Sequence, residues 1–175
     1  MTMPATPEGF ATVNPFVITK NADGLIAFLA EVFGGTENQL ARTVDVDGLL
    51  LHAELRIGNT TVMFGERKPG WPFLPSLLQV YVDEVPATLA TARRLGAKVV
   101  TEPTDFYGTS FSRFVDPWKN LWWVYQHADA VDWEDDGSAS WATDAGGQDA
   151  GWSQTTPGLE YIHRTLLETL PTLRE

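Results

Sequence analysis

The chain has 175 residues, of which 43% are hydrophobic, and its 12 Lys and Arg against 23 Asp and Glu give a formal net charge of −11. The length fits one domain with a sizeable core. The negative charge disfavours a nucleic acid or an anionic membrane as partner, and mildly favours a cationic ligand. Because the sequence contains no Cys, disulfides, thiol nucleophiles and thiolate metal sites are excluded.

The start of the chain, residues 1–9, lacks the basic residues and the apolar run of a signal peptide. No apolar stretch of the sequence approaches the roughly 20 residues of a membrane-spanning helix. We therefore expect a cytoplasmic protein without a membrane partner.

The first half of the chain is predicted to hold a strand, a helix and three more strands. Gly34-Gly35 ends a stretch in which apolar residues recur at helical spacing. Asp47-Gly48 and Gly58-Asn59 are typical hairpin turns. The predicted elements are a loose arm over residues 1–12, a strand over 13–19, a helix from Asn21 or Asp23 to Phe33, and strands over 38–46, 49–57 and 60–66.

The second half repeats this order after a linker over residues 68–72. Gly96 ends a second helix with apolar residues on one side, as Gly34 ends the first. The predicted elements are a strand over residues 76–83, a helix over 85–95, and strands over 98–104, 109–115 and 121–127. Two units with the order strand, helix, strand, strand, strand indicate an internal duplication.

The rest of the chain departs from the duplicated pattern, which predicts a domain over residues 1–127, with modules at about 13–66 and 76–127, and a separate segment over 128–175. Residues 128–156 are acidic and contain three Trp, so we expect an irregular segment that packs in part on other residues. Residues 157–170 are predicted to form a helix with one apolar face. This face can dock on the body of the protein or on a partner subunit, and we favour a subunit interface.

Three segments of the second half carry a resemblance to a known family. Residues 82–85 read Val-Asp-Glu-Val and lead into a helix, residues 95–99 read Leu-Gly-Ala-Lys-Val, and residues 116–122 read Asp-Pro-Trp-Lys-Asn-Leu-Trp. The last is similar to an Asp-Pro-x-Gly-Asn turn, with Lys119 where Gly is usual. With the duplicated order of elements, these segments resemble the vicinal oxygen chelate superfamily of glyoxalase I, bleomycin-resistance proteins and extradiol dioxygenases. Residues 26–35 and 52–58 resemble its phosphonate-operon glyoxalase-like subgroup.

The resemblance implies an α+β fold of two paired βαβββ modules, in which each module curls into a half-barrel and the pair encloses a cleft. In metal-dependent members, the first and last strands of each module supply four ligands. The corresponding positions here are Asn14, Met63, Leu77 and Trp123. None of them is a His or a carboxylate, the donors that Zn²⁺, Ni²⁺ or Fe²⁺ prefer. We therefore expect no metal cofactor.

His52 and Glu54 are two residues apart in a predicted strand, and Arg56 continues the same row. The opposite row is apolar and should face the helices. His52 can be a general base oriented by Glu54, or the two can supply part of a metal site. The alternative is a solvated polar face with cross-strand ion pairs.

Trp123 and Tyr125 share one face of the last strand, which we expect to be the cleft face. They can form a stacking wall for a flat or cationic ligand, or be ordinary core residues. Arg113 on the preceding strand can bind an anionic group or pair with Asp116. Trp71 in the linker can line the rim of the cleft.

The sequence therefore favours a metal-independent small-molecule binding protein of the glyoxalase/bleomycin-resistance type, which sequesters a cationic or aromatic compound and forms a homodimer. The alternative is a lyase or isomerase that uses a divalent metal held by noncanonical ligands. A third hypothesis is a stress or regulatory binder without catalysis. The candidate catalytic residues are His52 and Glu54, and the candidate ligand-binding residues are Trp123, Tyr125, Arg56, Arg113, Trp71 and Asn14.

Overall fold

The computed structural model describes residues 6–127 and 156–175. The predicted irregular segment lies outside these ranges, apart from its last residue. The helices and strands are β1 (Phe16–Thr19), α1 (Ala22–Phe33), β2 (Thr36–Glu37), β3 (Thr43–Val44), β4 (Leu50–Ile57), β5 (Thr60–Glu66), β6 (Leu77–Tyr81), α2 (Val85–Arg94), β7 (Lys98–Phe106), β8 (Thr109–Val115), β9 (Leu121–Gln126) and α3 (Pro157–Thr169), with short 3-10 helices at Gln39–Ala41 and Leu170–Thr172.

Both halves of the chain have the same sheet topology. The strand order is β1-β5-β4-β2 in the first sheet and β6-β9-β8-β7 in the second. In each sheet the first strand pairs in parallel with the last, and the other strands of this order are antiparallel. The predicted α+β fold of two βαβββ modules with a C-terminal helix is confirmed, and both sheets are open.

Residues 38–46 do not form the continuous strand that was predicted for them. The Asn38 side chain accepts a hydrogen bond from the Leu40 amide (3.3 Å) and starts the 3-10 helix Gln39–Ala41. An Asn side chain that bonds to the backbone in this way competes with the sheet ladder. Only the short strands β2 and β3 therefore pair with β4 in this region.

The two modules share one hydrophobic core within this chain. The Phe28 ring of α1 lies 5.8 Å from the Trp118 ring, and the Phe33 ring lies 5.0 Å from the Trp122 ring, measured between centroids. Trp118 and Trp122 belong to the second module. Helix α1 therefore packs against the second module as well as against its own sheet.

The turn between β8 and β9 is built around a buried carboxylate. Asp116 accepts hydrogen bonds of 2.9 Å from the amides of Trp118 and Asn120, and from the side chains of Asn120 and Trp122. Burial raises the pKa of Asp116, although these four bonds oppose the shift. The predicted pairing of Asp116 with Arg113 is wrong. The carboxylate accepts hydrogen bonds from the turn and from Trp122, whereas Arg113 donates to the Ile162 carbonyl of α3.

No helix within the described ranges is long and apolar enough to cross a membrane. The cytoplasmic location stays a prediction.

Candidate functional site

The concave face of the first module carries three side chains in one row across the sheet. Met63 on β5 is paired with Phe16 on β1 and with Glu54 on β4. The neighbouring residues Val62 and Phe64 point the other way, into the core under α1. The row therefore combines an aromatic ring, a thioether and a carboxylate.

The corresponding row of the second module has the opposite charge. Trp123 on β9 is paired with Gln79 on β6 and with Arg113 on β8. Since both sheets have the same strand order, Arg113 occupies the position that Glu54 holds in the first module. This correspondence depends on the register of each sheet, which local sequence patterns do not specify.

The register corrects two of the expected metal positions. The residues that lie beside Met63 and Trp123 on the first strands are Phe16 and Gln79, rather than Asn14 and Leu77. Asn14 precedes β1, and its side chain bonds to the backbone amide and carbonyl of Ala11 (2.9 and 2.6 Å).

The side chains at the corrected positions are unsuited to a divalent metal. Phe and Trp are not ligands, Gln is a weak neutral donor, and a thioether suits soft metals. In the part of the chain that the structure describes, no three His, Cys, Asp or Glu side chains come together. These four positions therefore do not present the His and carboxylate donors that metal-dependent members of the resembled family are expected to use.

His52 and Glu54 form a contact pair on the concave face of the first module. His52 Nε2 lies 3.2 Å from Glu54 Oε1, and Asn38 Nδ2 donates to Glu54 Oε2 (2.9 Å). The hydrogen bond from Asn38, and then that from His52, lowers the pKa of Glu54. The ring of Phe16 lies 6.0 Å from that of His52 and is 47% exposed. An ionised carboxylate thus lies near an accessible aromatic ring.

The edge of this face is closed by the segment before β1. Thr61 Oγ1 donates to the Gly9 carbonyl (2.6 Å), and the Arg56 guanidinium lies so close to Gly9 that a Cβ there would meet it. The arm that was predicted to be loose is therefore attached at Gly9. Arg56 Nε donates to the Gly58 carbonyl (2.9 Å), which holds the side chain at the end of β4.

Helix α3 covers the concave face of the second module. Ile162 packs against Phe111 and Tyr125, and Leu173, just after the helix, packs against Leu121. These side chains are all buried. The apolar face of α3 is therefore used within its own chain, and a part for α3 in a subunit interface stays a prediction.

Arg113 is enclosed between this helix and the sheet. Its guanidinium carbon lies 4.6 Å from the centre of the Phe111 ring and 4.2 Å from that of Trp123. Nη1 donates to the Ile162 carbonyl (2.7 Å). Burial lowers the pKa of Arg113 to about 10, so the group stays charged at neutral pH. Trp123 and Tyr125 lie on the concave face as predicted, but under α3.

A cavity of about 610 Å³ lies between the modules. Phe33, Trp122 and Thr88 line its helical side, and Tyr81 lines the edge of the second sheet. The predicted rim residue Trp71 is 47% exposed in the linker and does not line this cavity. The walls of the cavity come from both modules.

The model of the Glyoxalase/Bleomycin resistance protein/Dioxygenase superfamily matches residues 10–124. The chain belongs to this superfamily. The match confirms the family that the sequence resembled, whereas the phosphonate-operon subgroup stays a prediction. The matched residues include both concave faces but not α3, so the helix that covers the second face is an addition to the superfamily domain.

Relatives of this superfamily member share the domain. An uncharacterized protein of Mycobacterium bovis is 30% identical over 122 residues, which cover 63% of this chain and 79% of that protein. The solved structure of protein PA1353 from Pseudomonas aeruginosa has a TM-score of 0.55 at 20% identity and covers 68% of this chain and 99% of its own. TioX from Micromonospora sp. ML1 has a TM-score of 0.51 at 23% identity, with 66% and 99% coverage. These structures show the fold.

Proposed function

We propose that this superfamily member is a metal-independent binding protein that holds a flat, cationic small molecule on the concave face of its first module. The observation that carries the proposal is that His52 contacts the ionised Glu54 carboxylate (3.2 Å) and lies 6.0 Å from the exposed ring of Phe16. An aromatic ring and a fixed carboxylate are the groups that recognise a flat cation. The net charge of −11 favours the approach of such a ligand.

The hydrogen bonds at Glu54 prepare the carboxylate for a ligand. Asn38 and His52 each contact one oxygen and fix the orientation of the side chain. Each oxygen of an ionised carboxylate accepts up to two hydrogen bonds, so both keep acceptor capacity for a ligand. Because the two polar neighbours orient the carboxylate in advance, a ligand loses less free energy to ordering it.

The first module suits this role better than the stacking wall expected at Trp123 and Tyr125. The two side chains lie under α3, where Tyr125 is buried. On the first module, Phe16 and Met63 are open to a ligand without movement of any helix, since Phe16 is exposed and Met63 is half-buried. The proposed ligand therefore binds to Phe16, Met63 and Glu54.

The proposal is tested with N-methylacridinium, a flat permanent cation, and with acridine, which is neutral under mildly basic conditions. We expect Glu54→Gln to weaken N-methylacridinium binding about tenfold, equivalent to about 1.4 kcal/mol, because it removes the negative charge. Acridine binding should not change. Phe16→Ala should weaken both ligands. Calorimetric titration measures each affinity.

The matched control is Glu31→Gln, which changes a carboxylate on α1 that pairs with Arg94. This variant should bind both acridines like the wild type. If Glu31→Gln weakens binding as much as Glu54→Gln does, the carboxylate acts through overall charge and the site assignment fails. If neither probe binds, the proposed function is wrong.

The metal-dependent lyase or isomerase would need a third ligand beside His52 and Glu54. Elemental analysis of the purified protein decides between the two functions. We expect substoichiometric Zn, Ni, Mn and Fe, because Phe16 and Met63 flank the pair in place of a further donor. One metal ion per chain would overturn the metal-independent function.

A further inference from the structure

Arg113 is a buried cation without a carboxylate partner among the described residues. The residue is 2% exposed, and Nη1 donates to the Ile162 carbonyl and to Thr101 Oγ1 (3.4 Å). Burial lowers the pKa of the guanidinium to about 10, and the nearby phenol of Tyr125, which is neutral at neutral pH, opposes the shift. A buried charge that lacks an opposite charge destabilises a fold.

Two N–H groups at this place also lack an acceptor. Arg113 Nε and Trp123 Nε1 are buried and have no hydrogen-bond partner within the described ranges. Native proteins pair the large majority of buried donors, and an unpaired donor destabilises the fold. One positive charge and two unpaired N–H donors lie on neighbouring strands, and together they suit the binding of an anion.

The surroundings of these donors are aromatic side chains. The Phe111 ring centre lies 5.0 Å from that of Tyr125 and 5.9 Å from that of Trp123. Tyr81 stands beside Tyr125 at 5.5 Å, and its side chain is exposed at the edge of the sheet. An anion with a planar aromatic body matches this wall better than a bare oxyanion does.

Helix α3 covers these groups through a face that is partly polar. Thr165 and Thr169 are buried in the contact beside Ile162, and Thr165 shares a 2.7 Å hydroxyl contact with Thr101. A helix that buries hydroxyls along with few large apolar side chains gains less from docking than one with a wholly apolar face. Such an element can undock locally at low free energy.

We propose that Arg113 and Trp123 form a binding site for the carboxylate of a flat aromatic acid, which takes the place of the Ile162 carbonyl when α3 moves off the second module. The guanidinium then donates to the carboxylate, and the Trp123 indole supplies a further donor. The site is separate from the cation site on the first module and selects ligands of opposite charge.

The test uses NMR spectra of the isotope-labelled full chain and follows the indole N–H signals of its Trp residues. The signal that is missing in Trp123→Phe is that of Trp123. Benzoate is the probe, benzamide is its neutral counterpart, and inorganic phosphate is an oxyanion without a flat body. We expect added benzoate to shift the Trp123 indole proton downfield, and the shift to reach a plateau when the site is full. Benzamide should not bind, and phosphate should bind at least tenfold more weakly than benzoate.

Two variants of α3 test the displacement of the helix. Ile162→Ala removes the side chain packed against Phe111 and Tyr125, whereas Leu167→Ala makes a similar change at a position of α3 that is 56% exposed. Since apparent affinity scales with the fraction of open molecules, Ile162→Ala should raise benzoate affinity by about fivefold. Leu167→Ala should leave it unchanged, and Arg113→Met should abolish binding.

The proposal is overturned if benzoate binds neither the wild type nor Ile162→Ala, because the two donors are then satisfied without an anion. Equal binding of benzoate and benzamide, or of benzoate and phosphate, would also overturn it. Equal affinities of Ile162→Ala and Leu167→Ala would exclude displacement of α3. Glu54→Gln should leave benzoate binding intact, so failure here is distinguishable from failure of the cation site.

Discussion

Lys119 lies in the turn between β8 and β9 with a φ of 73°, in the left-handed region. Its Cβ makes that conformation unfavourable, whereas Gly adopts it without a steric cost. The turn nevertheless forms, because the buried Asp116 carboxylate binds Trp118 and Asn120 on both sides of Lys119. The same geometry explains why Gly is usual at this position in the motif that the turn resembles.

We therefore predict that Lys119→Gly stabilises the protein by about 1 kcal/mol, because it removes the steric cost of a Cβ in the left-handed conformation. Lys119 is exposed, so the change removes no packing. Urea denaturation measures the free energy of unfolding. Lys119→Ala is the control, since it removes the same charge but keeps a Cβ, and it should bring no gain. An equal gain in both variants would show that charge, rather than backbone strain, is responsible.

At the scale of the elements, the segment that follows α3 connects the two modules. Leu173 packs against Val115 and Leu121 in the second module. Glu175 contacts Lys20 Nζ (2.6 Å) and Arg67 in the first. The hydrogen bond from Lys20, and then that from Arg67, lowers the pKa of Glu175 to about 2. Because Arg67 is buried, the exposed Glu175 carboxylate also balances an enclosed charge.

The shift gives this contact a defined pH dependence. A carboxylate whose pKa is lowered by folding stabilises the protein above its unfolded pKa and loses that effect as pH falls through the folded value. We expect wild type to be more stable than Glu175→Gln at neutral pH, and the difference to shrink from about pH 4.5 towards about pH 2. Urea midpoints at several pH values measure it.

The control for this titration is Glu168→Gln on α3, where both the carboxylate and its neighbour Arg164 are exposed and 3.9 Å apart. Such pairs contribute little, so its stability should follow that of the wild type throughout. If the difference between wild type and Glu175→Gln is independent of pH, the contact with Lys20 and Arg67 does not form in solution.

At the scale of the whole molecule, the modules unfold together if the shared core is the main contact between them. Phe28 belongs to α1 of the first module, but its ring lies 6.2 Å from that of Phe114 and 5.8 Å from that of Trp118. It is 5% exposed. One residue of the first module therefore packs directly on the second sheet and its turn.

We predict that Phe28→Ala lowers the free energy of unfolding by about 3–5 kcal/mol, the usual cost of removing a buried Phe. Circular dichroism and Trp fluorescence should show one coincident transition, since most Trp residues of the described ranges lie in the second module. Phe16→Ala, which removes a ring that is 47% exposed, should cost much less. Two separate transitions would contradict a shared core.

The predicted homodimer stays a prediction, which analytical ultracentrifugation tests.

Much of the fold follows from local patterns. Gly34 ends α1 in the left-handed conformation, and Gly48 and Gly58 adopt positive φ in the predicted hairpin turns. Residues 38–46 were the exception, because the side-chain contacts of Asn38 outweighed their strand pattern. The alternation of apolar and polar residues along β4 also predicted that Ala53 and Leu55 lie in the core and that His52 and Glu54 lie on the other face, as they do.

The sequence by itself determined the duplicated modules and most faces of the strands, since both depend on residue type and on periods of a few residues. Only the tertiary structure decided which surface α3 covers, that Arg113 lies between Phe111 and Trp123, and that His52 contacts both Glu54 and the exposed Phe16. The sequence of an amphipathic helix shows that its apolar face must be buried, but not which surface buries it. The partner is set by packing between segments that are distant along the chain.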